Sequence, residues 1–155
     1  MKRRYWIARV AALTVVMTIG IAPIVRAQVK TVQVPFSMSG GLIVIEAKVN
    51  GRTASLLFDS GAMTTFVNPS LLEGLKVTSG KAISLADGNV VEAQVVKTAV
   101  SLGDASIPVD LRAYNVARFA ESIGLHIDGV VGQDVIGKFS GILIDYVRRK
   151  ITLIA

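Results

Sequence analysis

Few side chains in this sequence can do chemistry. His126 is the single histidine and cysteine is absent, which excludes thiol nucleophiles, disulfides and cysteine metal sites. One histidine without cysteine cannot supply the usual zinc ligands. Neither Gly-x-Gly-x-x-Gly nor the P-loop signature occurs, so no cofactor or phosphate cradle is expected. A serine triad would need His126 beside a serine on a strained turn, but Gly-x-Ser-x-Gly is also missing. His126 therefore reads as a surface or satisfied core residue. Carboxylates remain, and they can give and take protons. Asp59 differs from the rest in its setting, because it ends the apolar run Leu56-Leu57-Phe58 and opens the turn Ser60-Gly61-Ala62. Glycine at 61 lets the backbone bend where a side chain would clash. One reading makes Asp59 an Asx turn that caps its own loop. The other makes it a working carboxylate at the edge of the core, with Ser60 and backbone N–H groups beside it.

The elements that must position Asp59 read as short strands. Leu42–Val49 is rich in β-branched residues, Asn50-Gly51 is a strong hairpin signal, and Arg52–Phe58 returns. Because Leu56, Leu57 and Phe58 are continuously apolar, that strand end should be buried on both faces. Thr64–Val67 resumes extended structure, Asn68-Pro69-Ser70 turns, and Leu71–Leu75 fits one helical turn. A second hairpin joins Ile83–Ala86 to Val90–Val96 across Asp87-Gly88-Asn89. Val100–Leu102 and Ile107–Tyr114 are further strands, Val116–Ile123 a short helix, and Ser140–Asp145 with Lys150–Ile154 a closing hairpin. Thr31–Val34 reads as an edge strand stopped by Pro35, followed by a flexible stretch over Ser37–Gly41. Many short strands at this spacing point to an all-β barrel or sandwich of one domain.

Charge narrows the partners. The net charge of +6 is misleading, because five of the seventeen basic residues (Lys2, Arg3, Arg4, Arg9 and Arg26) lie in the first 27 positions, where there is no acid. Beyond them 12 basic residues face 11 acids, a net of +1. No basic stripe interleaved with aromatics remains, so nucleic acid is not an expected partner. The leader has a positive start, an uncharged run Val10–Val25 and Val25-Arg26-Ala27 at its end, the pattern of a signal peptide cleaved after Ala27. The alternative is a retained anchor. Its 16 uncharged residues fall short of the ~20 that span a bilayer comfortably. The expected organisation is a signal peptide at 1–27, an N-terminal segment at 28–41 and the functional domain at 42–155. The expected location is exported, periplasmic or secreted, with membrane attachment only if the leader is kept.

Three motifs in order carry a resemblance to a known family. The segment Ala-Ser-Leu-Leu-Phe-Asp-Ser-Gly-Ala-Met-Thr-Thr-Phe-Val, residues 54–67, resembles the active-site strand of retroviral-type (retropepsin-like) aspartic proteases. About 70 residues later Val130-Val131-Gly132-Gln133-Asp134 looks like that family's second motif, two apolar residues and a glycine opening a short helix. The closing strands around Gly141–Tyr146 and Lys150–Leu153 look like those of bacterial members, and the hairpin at Asp87-Gly88 falls where the family has its flap. The resemblance covers roughly residues 42–154. It implies an all-β, single-domain, closed β-barrel-like fold with one or two short helices. It also implies an aspartic-type endopeptidase with Asp59 as catalytic residue, supported by Ser60, Gly61 and Ala62. Ala86, Asp87 and Gly88 would cover the substrate, and Val131, Gly132 and Asp134 would form the second motif, with Asp134 capping or hydrogen-bonding near it. Gln133 departs from the arginine that viral members carry there, and Gly88 alone remains of a glycine-rich flap tip.

Aspartic proteolysis needs two carboxylates, and this chain has one Asp-Ser-Gly. Ile127-Asp128-Gly129 lacks the hydroxyl residue and the preceding apolar strand, and Asp145 reads as a turn residue. The expectation is therefore a homodimer with one Asp59 from each chain, acting on a peptide or protein and needing no cofactor. The alternative is a non-catalytic domain of the same fold that binds peptide or a partner protein.

Overall fold

The computed structural model describes residues 30–84, 88 and 90–155. The expected leader, 1–27, and the expected flap residues Ala86 and Asp87 lie outside the described residues. Among these residues ten strands and two short helices follow in order: β1 Thr31–Ser39, β2 Leu42–Val49, β3 Arg52–Phe58, β4 Phe66–Val67, β5 Val77–Ser84, β6 Val90–Leu102, β7 Ala105–Ala113, α1 Ala117–Ser122, β8 Gly129–Val131, α2 Gln133–Ile136, β9 Gly141–Asp145 and β10 Lys150–Ile154. A 3-10 turn occupies Pro69–Leu72. The architecture is all-β, as the sequence implies.

The β2–β3 hairpin forms where expected. Asn50 and Gly51 both adopt positive φ, 51° and 75°, which matches the twist of the strands on either side. The strands lie in one sheet of order β5-β6-β7-β4-β8-β3-β2-β1-β10-β9, and β2 pairs back onto β6. That return closes β6, β7, β4, β8, β3 and β2 into a hydrogen-bonded ring. β1, β10 and β9 extend it on one side, and β5 extends it through its hairpin with β6.

Three expectations fail. Pro35 does not stop β1, and Ser37–Ser39 is strand rather than flexible chain. The strand pairs with β10 up to Pro35 and with β2 from Phe36 onward. A residue without an N–H is tolerated where a strand changes partners. Val32, Val34 and Phe36 keep one alternating buried face across the change of partner. Likewise Val90–Val96 and Val100–Leu102 are one strand, β6. The intervening polar positions are carried by pairing with β7, Lys97 opposite Asp110 and Thr98 opposite Val109.

β3 and β8 run parallel through the middle, with Leu56, Leu57 and Phe58 opposite Gly129, Val130 and Val131. Their side chains divide between two cores. Leu56 and Val131 join the main cluster with Val49, Val67, Leu111 and Ile151. Leu57 and Val130 join a second cluster with Val116, Ala120, Leu125 and Ile127 around α1. The end of β3 is thus buried on both faces, as its unbroken apolar run predicts. At about 1.5–3 kcal/mol for each large apolar side chain buried, this pair of strands is a stiff platform for the Asp59 turn.

Candidate active site

Asp59 is the first residue past β3. Its N–H donates to Val131 O at 3.1 Å, so the β3–β8 ladder runs into the turn. Its Oδ1 accepts the Gly61 N–H at 2.8 Å, and Ala62 N reaches Asp59 O at 3.3 Å. The Asx turn is therefore real. It fixes one carboxylate oxygen and leaves Oδ2 for other work, so the two readings of Asp59 are compatible. Asp59 is half-buried and Ser60 is exposed.

The second motif lies against this loop. Gln133 N donates to Ala62 O at 2.8 Å, and Gln133 Nε2 donates to Ser60 O at 2.8 Å. Gln133 thus binds the loop directly from the position where viral members carry arginine. Gly132 N donates to Thr65 Oγ1 at 3.0 Å. A Cβ on Gly132 would lie 2.7 Å from Ala62 O and 2.8 Å from Thr64 O, so only glycine admits this approach. Asp134 receives Thr65 N at 2.8 and 2.9 Å on its two oxygens, and the Thr65 hydroxyl at 2.6 Å. Asp134 thus ties α2 to the residue before β4.

The fold therefore gathers Asp59, Ser60, Gly61 and Ala62 with Val131, Gly132 and Asp134. Of the expected flap, Gly88 is described, exposed between β5 and β6 with φ 83°. The other acids are committed elsewhere. Asp128 Oδ2 accepts Ser55 N at 2.9 Å. Asp145 accepts Arg148 N and its guanidinium, both at 2.8 Å, which holds the Asp145 carboxyl below its ordinary range, the backbone bond being the larger cause. His126 is exposed.

Sequence reasoning missed Thr65 and Arg112. Thr65 is the buried polar side chain of the described residues, with no exposure, yet a threonine before Phe66-Val67 looks like ordinary strand. Arg112 sits on β7 with its Nη1 3.8 Å from Asp134 Oδ2. The available signal was a charge between the apolar Leu111 and Ala113, with Asp110 just before them.

A sequence profile described as aspartyl protease matches residues 45–135, from β2 to α2. The chain belongs to the aspartyl protease family. No curated protein matches it in sequence. Among solved structures, it is similar to a retropepsin-like aspartic protease from Rickettsia conorii. The TM-score is 0.53 at 16% identity, over 83% of this chain and 94% of that one, a likeness of fold. Membership of the aspartyl protease family makes the chain an aspartic-type hydrolase with the retropepsin-like all-β fold. The matched span holds both motifs and excludes β1, β9 and β10.

Proposed function

We propose that this aspartyl protease is an exported endopeptidase, active as a homodimer in which each chain contributes Asp59. The observation that carries the reading is the hold on Asp59: its backbone is tied to Val131 and one carboxylate oxygen to Gly61, at the end of a strand buried on both faces. Two such carboxylates about 3 Å apart cannot both ionise, and the pair shares one proton. The ionised member takes a proton from water, which attacks the peptide carbonyl, and the protonated member polarises that carbonyl. Both ionisations belong to the pair rather than to either residue.

The second carboxylate would come from another copy: this sequence holds one Asp-Ser-Gly, and Asp128, Asp134 and Asp145 hold Ser55, Thr65 and Arg148. A surface for that copy is available. Among the described residues β9 ends the sheet order with its outer edge unpaired, and Ile142, Leu143, Tyr146 and Val147 on and after it are exposed. Apolar edges of this kind recruit further strands, and a two-fold axis makes such a contact self-complementary. In the dimer the exposed Ser60 hydroxyls would brace the two loops, with Gly61 and Ala62 as floor. Ala86, Asp87 and Gly88 would cover an extended peptide held by strand-like hydrogen bonds. Export follows from the Lys2-Arg3-Arg4 start and the uncharged run ending at Ala27.

The test is a peptide-library digest with wild type and Asp59→Asn, run with a mass measurement of the assembly. Wild type should cleave as a dimer, and the folded variant should not. Cleavage that survives the substitution sinks the reading. A strict monomer that binds peptide without cutting it would make the domain a binding module instead.

A further inference from the structure

Arg112, on β7 beside β4, meets the site through Asp134 and Thr65. Its side chain is 15% exposed. Among the described residues its Nε is enclosed and has no acceptor. Its ionic partner among the described residues is Asp134, at 3.8 Å and itself 24% exposed. Enclosing a guanidinium is costly unless its charge is matched, so its position calls for a use.

The contacts around Thr65 supply one. Arg112 N donates to Thr65 O at 3.3 Å. Its guanidinium faces Asp134, whose two oxygens take the Thr65 N–H and hydroxyl. The hydroxyl oxygen in turn accepts Gly132 N. Every polar atom of Thr65 is thus held by Arg112, by Asp134 or by the second motif. Gln133, next in the chain, holds Ser60 O and Ala62 O. The Arg112 guanidinium, 3.8 Å from Asp134 Oδ2, is the cation that faces this carboxylate while its two oxygens hold Thr65.

We propose that Arg112 is a positioning residue for Asp59, acting through Asp134 and Thr65 on the Gly132–Gln133 turn that binds the Asp59 loop. The proposal rests on the reading of Asp59 as the working carboxylate. At 3.8 Å the pair is ionic rather than a bidentate fork, so a lysine should serve in its place, which would not hold at a forked site.

The experiment uses full-length protein carrying Arg112→Met, Arg112→Lys, Asp134→Asn and the Met/Asn double variant, with Asp59→Asn as control. Arg112→Met should lower kcat about tenfold or more with KM within about threefold, because a misplaced carboxylate costs transition-state stabilisation rather than uniform binding. Arg112→Lys should restore kcat to within about threefold of wild type. The double variant should be no worse than the poorer single one, the signature of two residues acting as a unit. Amide exchange at Thr65 and Gly132 should quicken about tenfold in Arg112→Met while the outer strands keep their protection. Wild-type kcat and exchange in Arg112→Met would overturn the proposal, as would additive losses in the double variant. If Arg112→Met does not fold, Arg112→Lys decides: a tenfold loss of kcat there overturns the ionic role. If wild type itself fails to cleave, the reading of Asp59 has failed, and exchange at Thr65 still decides whether Arg112 holds the loop.

Discussion

Thr65 concentrates the site's energetics in a single hydroxyl. It gives its proton to Asp134 at 2.6 Å and takes Gly132 N at 3.0 Å, and no part of the residue reaches water. Thr65→Val keeps the shape and removes both bonds, leaving Gly132 N as a buried donor without an acceptor. An orphaned buried group costs about 1–3 kcal/mol, so the stability read from urea unfolding should fall by that amount, and Thr65→Ser should recover most of it. Equal midpoints for valine and wild type would mean the hydroxyl is structurally idle. The contrast with Asp59 shows what a sequence reveals at this scale. Asp59 was legible because local features mark it: a strand apolar on both faces, then a carboxylate, then glycine. Thr65 was not, because Thr64 and Thr65 both suit a strand, and only the arrival of Gly132 and Asp134 from nearly 70 residues away decides which hydroxyl is enclosed. Arg112 was hidden for the same reason, its partner Asp134 lying in another element.

Among the elements, the contact between the Asp59 loop and the β8–α2 turn is a close one. Gly132 meets the Ala62 carbonyl and the Thr64 backbone, and neither can rotate away as a side chain would. Gly132→Ala should therefore push the two motifs apart, at the ~1–3 kcal/mol typical of overpacking. Cleavage should be lost at temperatures where circular dichroism is still native. An active alanine variant would show that the approach has slack. The closing hairpin gives a pH prediction. Asp145 is held below its ordinary value of 3.8 by Arg148 N–H and guanidinium. A lowered carboxyl contributes stability above its unfolded value and loses it as pH falls through the folded one. Asp145→Ala should lower the Tm near neutrality, and the gap should close as pH drops below 3.8. A constant gap would assign the effect to packing. The hairpins were legible because turn chemistry is local, as at Asn50-Gly51. The length of β6 and the passage of β1 through Pro35 were not, because both depend on which strand lies alongside.

At the scale of the whole molecule, the consequence of one Asp59 per chain is a stoichiometry. If the reaction needs both carboxylates, a mixed dimer of one wild-type chain and one Asp59→Asn chain has no shared-proton pair and cannot cut. Mixing equal amounts of wild type and Asp59→Asn, with time for subunits to exchange, leaves about a quarter of the dimers fully wild type by mass action, so activity per wild-type chain should fall to about half. Excess variant should drive it toward zero. A monomeric enzyme, or a dimer whose two sites work alone, would show no such fall. Dilution supplies an independent arm: activity per chain should drop once the concentration falls below the dimer's Kd. Leu143→Lys should make that drop begin at higher concentration. Leu143 is 63% exposed on the open edge of β9, and an edge lysine discourages strand pairing. Unchanged dilution behaviour in Leu143→Lys would move the interface off β9. Full activity per chain in the mixture would remove the need for a second Asp59 altogether.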